Sequence, residues 1–112
     1  MSGIRLNRAL LLERPLRSDD GMGGHVVTWQ AVGQVWAEIR PGAGRELGGE
    51  DLLLSSVPHR ITLRAAPPGA ASRPVPGQRF REGTRLFDIL AVTERDPEGR
   101  YLQCFTREEV PK

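Results

Sequence analysis

At 112 residues, 38% of them hydrophobic and 27% charged, the chain is long enough for one domain with a modest core. Its high content of Gly (13) and Pro (9) argues for short strands joined by turns and against a helical bundle. The net charge is only +2, with no densely basic run of the kind a phosphate-binding surface needs.

The apolar run near the N-terminus is too short, and too closely flanked by charge, for a signal peptide, and no stretch approaches a membrane span. ALLLERPL, 9–16, predicts a first strand. Pro15 has no N–H to donate, so this strand is an edge or stops there. SDDGMGGH, 18–25, predicts a turn, with Asp20-Gly21 and Gly23-Gly24 supplying positive φ. Next comes the clearest periodicity. Val27, Trp29, Ala31, Val35, Ala37 and Ile39 share one parity; Thr28, Gln30, Gln34, Glu38 and Arg40 share the other. That is a strand with one buried face. Gly33 marks a bulge or sharp bend in it. The bulge is expected to flip parity locally and bring Trp36 into the core; the alternative is that Trp36 packs on a neighbouring subunit.

PGAGRELGGE, 41–50, carries four glycines and three charges, and predicts a flexible loop over about 41–52. DLLLSSV adds a helical turn or two, closed by Pro58. HRITLRAA, 59–66, alternates again, with Ile61 and Leu63 opposite Arg60, Thr62 and Arg64. PPGAASRPVPGQ, 67–78, carries no helix or strand signal, so a second long loop runs over 67–79. RLFDILAVTE, 85–94, is apolar on both parities and predicts a central strand; DPEG, 96–99, is a turn; YLQCFTRE, 101–108, completes a hairpin. The tail, 108–112, is expected to fray. Five strands and at most one short helix give an all-β domain spanning 1–112: a small antiparallel β-barrel or sandwich with one short helix and long loops.

The reactive residue types do not converge. His25 lies in a glycine turn, His59 opens a strand, and no metal-ligand spacing exists, so no metal and no cofactor is expected. Cys104, inside the last strand, reads as a buried inert thiol. A lone cysteine also argues against a disulfide scaffold and for a reducing compartment. No serine sits in a G-x-S-x-G elbow, and GAGREL lacks the GKS/T ending of a P-loop. Glu46, Glu50 and Asp51 read as a solvated face without the dry pocket that paired catalytic carboxylates need. A non-enzymatic protein is expected. The rival from another class is an OB-like β-barrel that binds single-stranded nucleic acid. It needs exposed aromatics for bases to stack on. Aromatics are 5% of the chain, and Trp29, Phe87 and Phe105 are assigned to the core.

Taken in order, GIRLNR, DDGMGG, Trp29, VWAEIRPGAGRE, SVPHRITLR, GTRLFDILAV and YLQCF resemble the head–tail joining proteins of tailed bacteriophages. These are the head-completion, adaptor or stopper proteins of siphophage-like particles. The arginine-rich style, in which every cation but Lys112 is arginine, is similar to the versions in gene transfer agents. The resemblance covers residues 3 to 108. It implies a ring of six or twelve copies, portal or adaptor proteins above it and a tail terminator below, with double-stranded DNA passing through the channel and no membrane contact. It also implies assembly in the bacterial cytoplasm and a final place in the particle neck. In a ring, copies of one glycine loop converge on the axis, so Gly42, Gly44, Arg45, Glu46, Gly48, Gly49 and Glu50 are expected to line the channel or meet a neighbour; the alternative is an ordinary disordered surface loop. The 67–78 segment is longer and richer in proline than the family pattern. Pro67, Pro68, Arg73, Pro74 and Pro76 are its candidate partner contacts.

Overall fold

Every regular element of the computed structural model, which describes residues 3–42 and 56–109, is a β-strand. The strands are β1 (Arg8–Asp19), β2 (His25–Pro41), β3 (Ser56–Arg64), β4 (Arg79–Glu82), β5 (Arg85–Glu94) and β6 (Tyr101–Glu109). They close into a barrel in the order β1-β2-β3-β6-β5-β4, every pair antiparallel. The closing ladder, β4 on β1, is only three pairs long: Leu11 to Arg81, Leu12 to Phe80 and Glu13 to Arg79.

Alternation puts one side chain in two inside. Leu10 and Leu12 of β1, Ala37 of β2, Ile61 and Leu63 of β3, Phe80 of β4, Phe87 and Ile89 of β5, and Leu102 and Cys104 of β6 are buried and form the core. β4 was not expected from the sequence. Its four residues, RFRE, are too short to show a period, and only the buried Phe80 ties them to the core.

Two bulges account for where the sequence reading departs from the structure. In β2 the extra residue is Val32, since Leu12 faces Gly33 and Glu13 faces Ala31. A bulge was expected here, one residue later. It leaves Val35, Ala37 and Ile39 inward and turns Ala31, Trp29 and Val27 to the outer face. Trp29 is therefore not a core residue, and Trp36 is 57% exposed rather than buried. In β5 the extra residue is Leu90, between the pairs Ile89–Thr106 and Ala91–Phe105. Phe87 and Ile89 point inward before it and Val92 after it, which produces apolar residues on both parities without two buried faces.

No helix occurs among the described residues. Of the segment expected to be helical, 51–55 lies outside them, while Ser56 and Val57 already belong to β3. Pro58 does not end a helix; it sits inside β3, opposite Arg107. Its carbonyl accepts from Gly42 N at 3.0 Å, so that side of the residue faces the end of β2. The missing N–H on the same side costs no bond to β6. Phe105 lies on the outer face, half-buried, with the Arg60 guanidinium 5.8 Å from its ring centroid.

Candidate functional site

The barrel has two mouths, and charge closes one of them. Arg8 lies on the inward parity of β1, Glu82 of β4, Arg85 of β5 and Glu108 of β6, and the antiparallel order brings all four to the same end of the barrel. Arg8 Nε and Nη2 donate to Glu82 at 2.7 and 2.6 Å, and Arg85 Nε and Nη2 donate to Glu108 at 2.7 and 3.0 Å. Arg85 also lies 3.6 Å from Glu82, which links the two forks. His59 completes the ring, with Nδ1 3.7 Å from Glu108 and its imidazole edge-on to Phe87 at 5.4 Å. Inward charges at a barrel end need partners, and paired forks supply them. The hydrogen bond from Arg8 holds Glu82 below the usual carboxylate range, and Arg85 does the same for Glu108. Sequence reasoning missed this group. Its signal was a charge on the apolar parity at a strand end, such as Arg8 in step with Leu10 and Leu12. Gly42 and Ser56, which flank the glycine segment, stand at this mouth; Gly44, Arg45, Glu46, Gly48, Gly49 and Glu50 lie outside the described residues.

The proline-rich segment closes the other mouth. Pro74 is fully buried, Arg73 Nη1 donates to the Ala66 carbonyl at 2.9 Å, and Gly77 and Gln78 exchange backbone bonds with Ile89. Pro67, Pro68 and Pro76 remain exposed. Within one run of prolines, then, Arg73 and Pro74 are engaged with the barrel while the other three face outward. A cleft of about 470 Å³ lies between this segment and β2, with Arg14, Gln30, Arg73 and Gln78 among its walls.

β1 and β2 run on past the barrel as a two-stranded arm. β1 pairs with β4 only as far as Glu13, and β2 pairs with β3 only from Ala37 onward. Beyond those points the two strands have only each other, from Arg14 opposite Gln30 to Asp19 opposite His25. Pro15 falls in this half, where one side of β1 has no ladder to interrupt. The turn at the tip is tied down by its own carboxylates. Asp20 Oδ1 accepts from Met22 N at 2.8 Å and Gly24 N at 3.0 Å, and Asp19 Oδ1 from Gly21 N at 2.9 Å. Gly21 and Gly23 take the positive φ that the turn requires. At the base of the arm, on the outer face, Glu13 accepts from Arg79 at 2.7 Å and Arg81 at 3.1 Å. Burial raises the Glu13 carboxyl, but these two guanidiniums outweigh it and leave it below its ordinary value.

No reactive side chains converge among the described residues. Burial pushes the Cys104 thiol up to about 12, so it stays protonated and a poor nucleophile at neutral pH. No three metal-ligating side chains cluster among the described residues. What the barrel presents is surface: two plugged mouths and a projecting arm.

Comparison with known proteins supplies the family. The family model for phage head completion protein matches residues 1–109. The chain belongs to the phage head completion protein family. This is a family of structural particle proteins, and the residues that carried the resemblance to head–tail joining proteins lie within the matched span. Among solved structures, the chain is similar to a protein in the virion of a native gene transfer agent (GTA) particle. The two are 62% identical over 95% of this chain and 96% of the other, with a TM-score of 0.78. Protein SF1141 from Shigella flexneri 2a shares 19% identity over 100% of both chains with a TM-score of 0.68, a likeness of fold alone. A search of curated proteins finds no significant match.

Proposed function

We infer that this head completion protein is a structural connector in the neck of a gene transfer agent or tailed-phage particle, of stopper or adaptor type. The observation that carries the reading is the 62% identity, over nearly the whole of both chains, to a protein of a native GTA virion. In this reading copies form a ring below the portal, extend or close the channel for double-stranded DNA, and give the tail terminator a surface to dock on. The protein gathers in the bacterial cytoplasm during assembly and ends in the particle neck.

A barrel with both mouths plugged suits such a role, because it resists deformation while its edges make the contacts. The glycine segment that starts at Gly42 is assigned to the bore as a gate, and the exposed Pro67, Pro68 and Pro76 to a neighbouring tier. Particles that lack the chain are expected to accumulate heads without tails. Normal joining in its absence would overturn the connector reading. Deleting Gly42 to Gly49 and assaying DNA retention in filled heads separates gating from joining: unchanged retention removes the gate and leaves the connector.

A further inference from the structure

We propose that the tip of the β1–β2 arm of one copy seats in the cleft beside Trp36 of the next copy, and that this head-to-tail contact builds the ring. The proposal rests on the connector reading and names the self-association surface which that reading needs.

The arm projects from the barrel with apolar side chains uncovered. Its six ladder pairs from Arg14 to Asp19 carry it about 20 Å beyond the barrel. Along it Leu16, Val26 and Val27 are 40%, 46% and 48% exposed, and Met22 at the tip is 90% exposed. A two-stranded ribbon without a core of its own is marginal in water unless something covers it. The tip is nevertheless held in one shape by the Asp19 and Asp20 carboxylates, so Met22 is presented on a fixed turn.

The socket lies on the barrel itself. Where β2 departs from β3, a cleft of about 280 Å³ opens between Val35 and Trp36 on one side and Leu63, Ala65 and Ala66 on the other. Trp36 is the most exposed aromatic side chain of the described residues and offers a thioether a favourable face. Charge selects what enters. Arg64 lines the cleft and Arg73 is bound to the carbonyl of Ala66 at its wall, while the arm tip carries Asp19 and Asp20. Tip and socket are separated along β1 by roughly ten residues of ladder, on the order of 30 Å, so a tip cannot reach its own socket. Knob and socket being different patches of one chain, the contact is heterologous. Heterologous contacts repeated about an axis close a ring when the rotation between copies is an exact fraction of a turn, as the connector reading requires.

Paired cysteines test this in assembled particles. Met22→Cys with Ser72→Cys, whose position also lines the cleft, treated with bismaleimidoethane, is expected to give a ladder of covalent multimers of this chain; each single variant stays monomeric. Trp36→Ser and Met22→Ser are each expected to lower the yield of joined particles roughly tenfold. The Tm of the isolated chain should move by no more than about 3 °C, because both side chains are exposed. If neck images show a ring but the double variant gives no ladder, the arm-to-socket contact is wrong and the connector stands. Cross-links to a different neck protein would equally overturn a second copy as the occupant. If the neck holds no ring of this chain at all, the connector reading itself falls.

Discussion

The guanidinium of Arg79 sits over the ring of Trp29, 3.9 Å from its centroid, while its Nε donates to Glu13 at 2.7 Å. One arginine thus ties β4 to both strands of the arm at the point where the arm leaves the barrel. The tryptophan is a platform on the outer face, and its removal forfeits a cation–π contact and partial burial only. Trp29→Ala is expected to cost about 1–2 kcal/mol, well below the loss typical of a buried aromatic. Urea unfolding measures it. A loss of ~3 kcal/mol or more would return the ring to the core and remove the reversal of parity in β2.

Acid should unfold the protein through its paired carboxylates. Glu82 and Glu108 are held down by hydrogen bonds from Arg8 and Arg85, and Glu13 by Arg79 and Arg81 against its burial. A carboxylate with a depressed folded-state value stabilises fully above its unfolded value, here 4.5, and loses that stabilisation as pH falls through the folded value. The urea midpoint is therefore expected to drop progressively below pH 4.5. Glu108→Gln should lower the neutral plateau by about 1 kcal/mol and flatten the acid limb. An acid limb as steep as the parent's would mean that the mouth carboxylates do not carry the effect.

Phe80 reports on the four-residue β4 that closes the barrel. It is fully buried between Leu12 and Phe87, its register partners on either side. Phe80→Ala is expected to cost about 3–5 kcal/mol, as much as any substitution in the longer strands. A loss under ~1 kcal/mol in equilibrium unfolding would show that the β1–β4 closure contributes little.

Cys104 should be silent in the native protein. With its thiol at about 12 and its side chain buried, it is expected not to react with Ellman's reagent at pH 8 until urea unfolds the chain. Native-state labelling at the rate of a free thiol would contradict its place in the core.

Much of this architecture can be read from residue order. Period two in HRITLR and YLQCFT places Ile61, Leu63, Leu102 and Cys104 on one buried face, and the structure buries all four. DDGMGG and DPEG are turns because aspartate carboxylates cap backbone N–H groups locally and glycine takes positive φ, and both act within five residues. The partners of Trp29 and Trp36 could not be read that way. Alternation specifies that neighbours face opposite sides; it does not say which residue a bulge leaves out. The one extra residue in β2 reverses the alternation, so Trp29 faces outward while Ala37 faces inward, and Trp36, between inward Val35 and Ala37, stays on the outer face.

The mouth is a second case. Arg8 and Glu82 are 74 positions apart, and nothing local couples them. Alternation and turn chemistry, which act between near neighbours, determined by themselves that this chain is an antiparallel all-β domain with Leu, Ile and Cys side chains inside. The closed order of strands, the plugged mouths and the projecting arm were decided only in three dimensions. They depend on ladder register and on pairings between distant segments, and those are set by which arrangement buries the shared core.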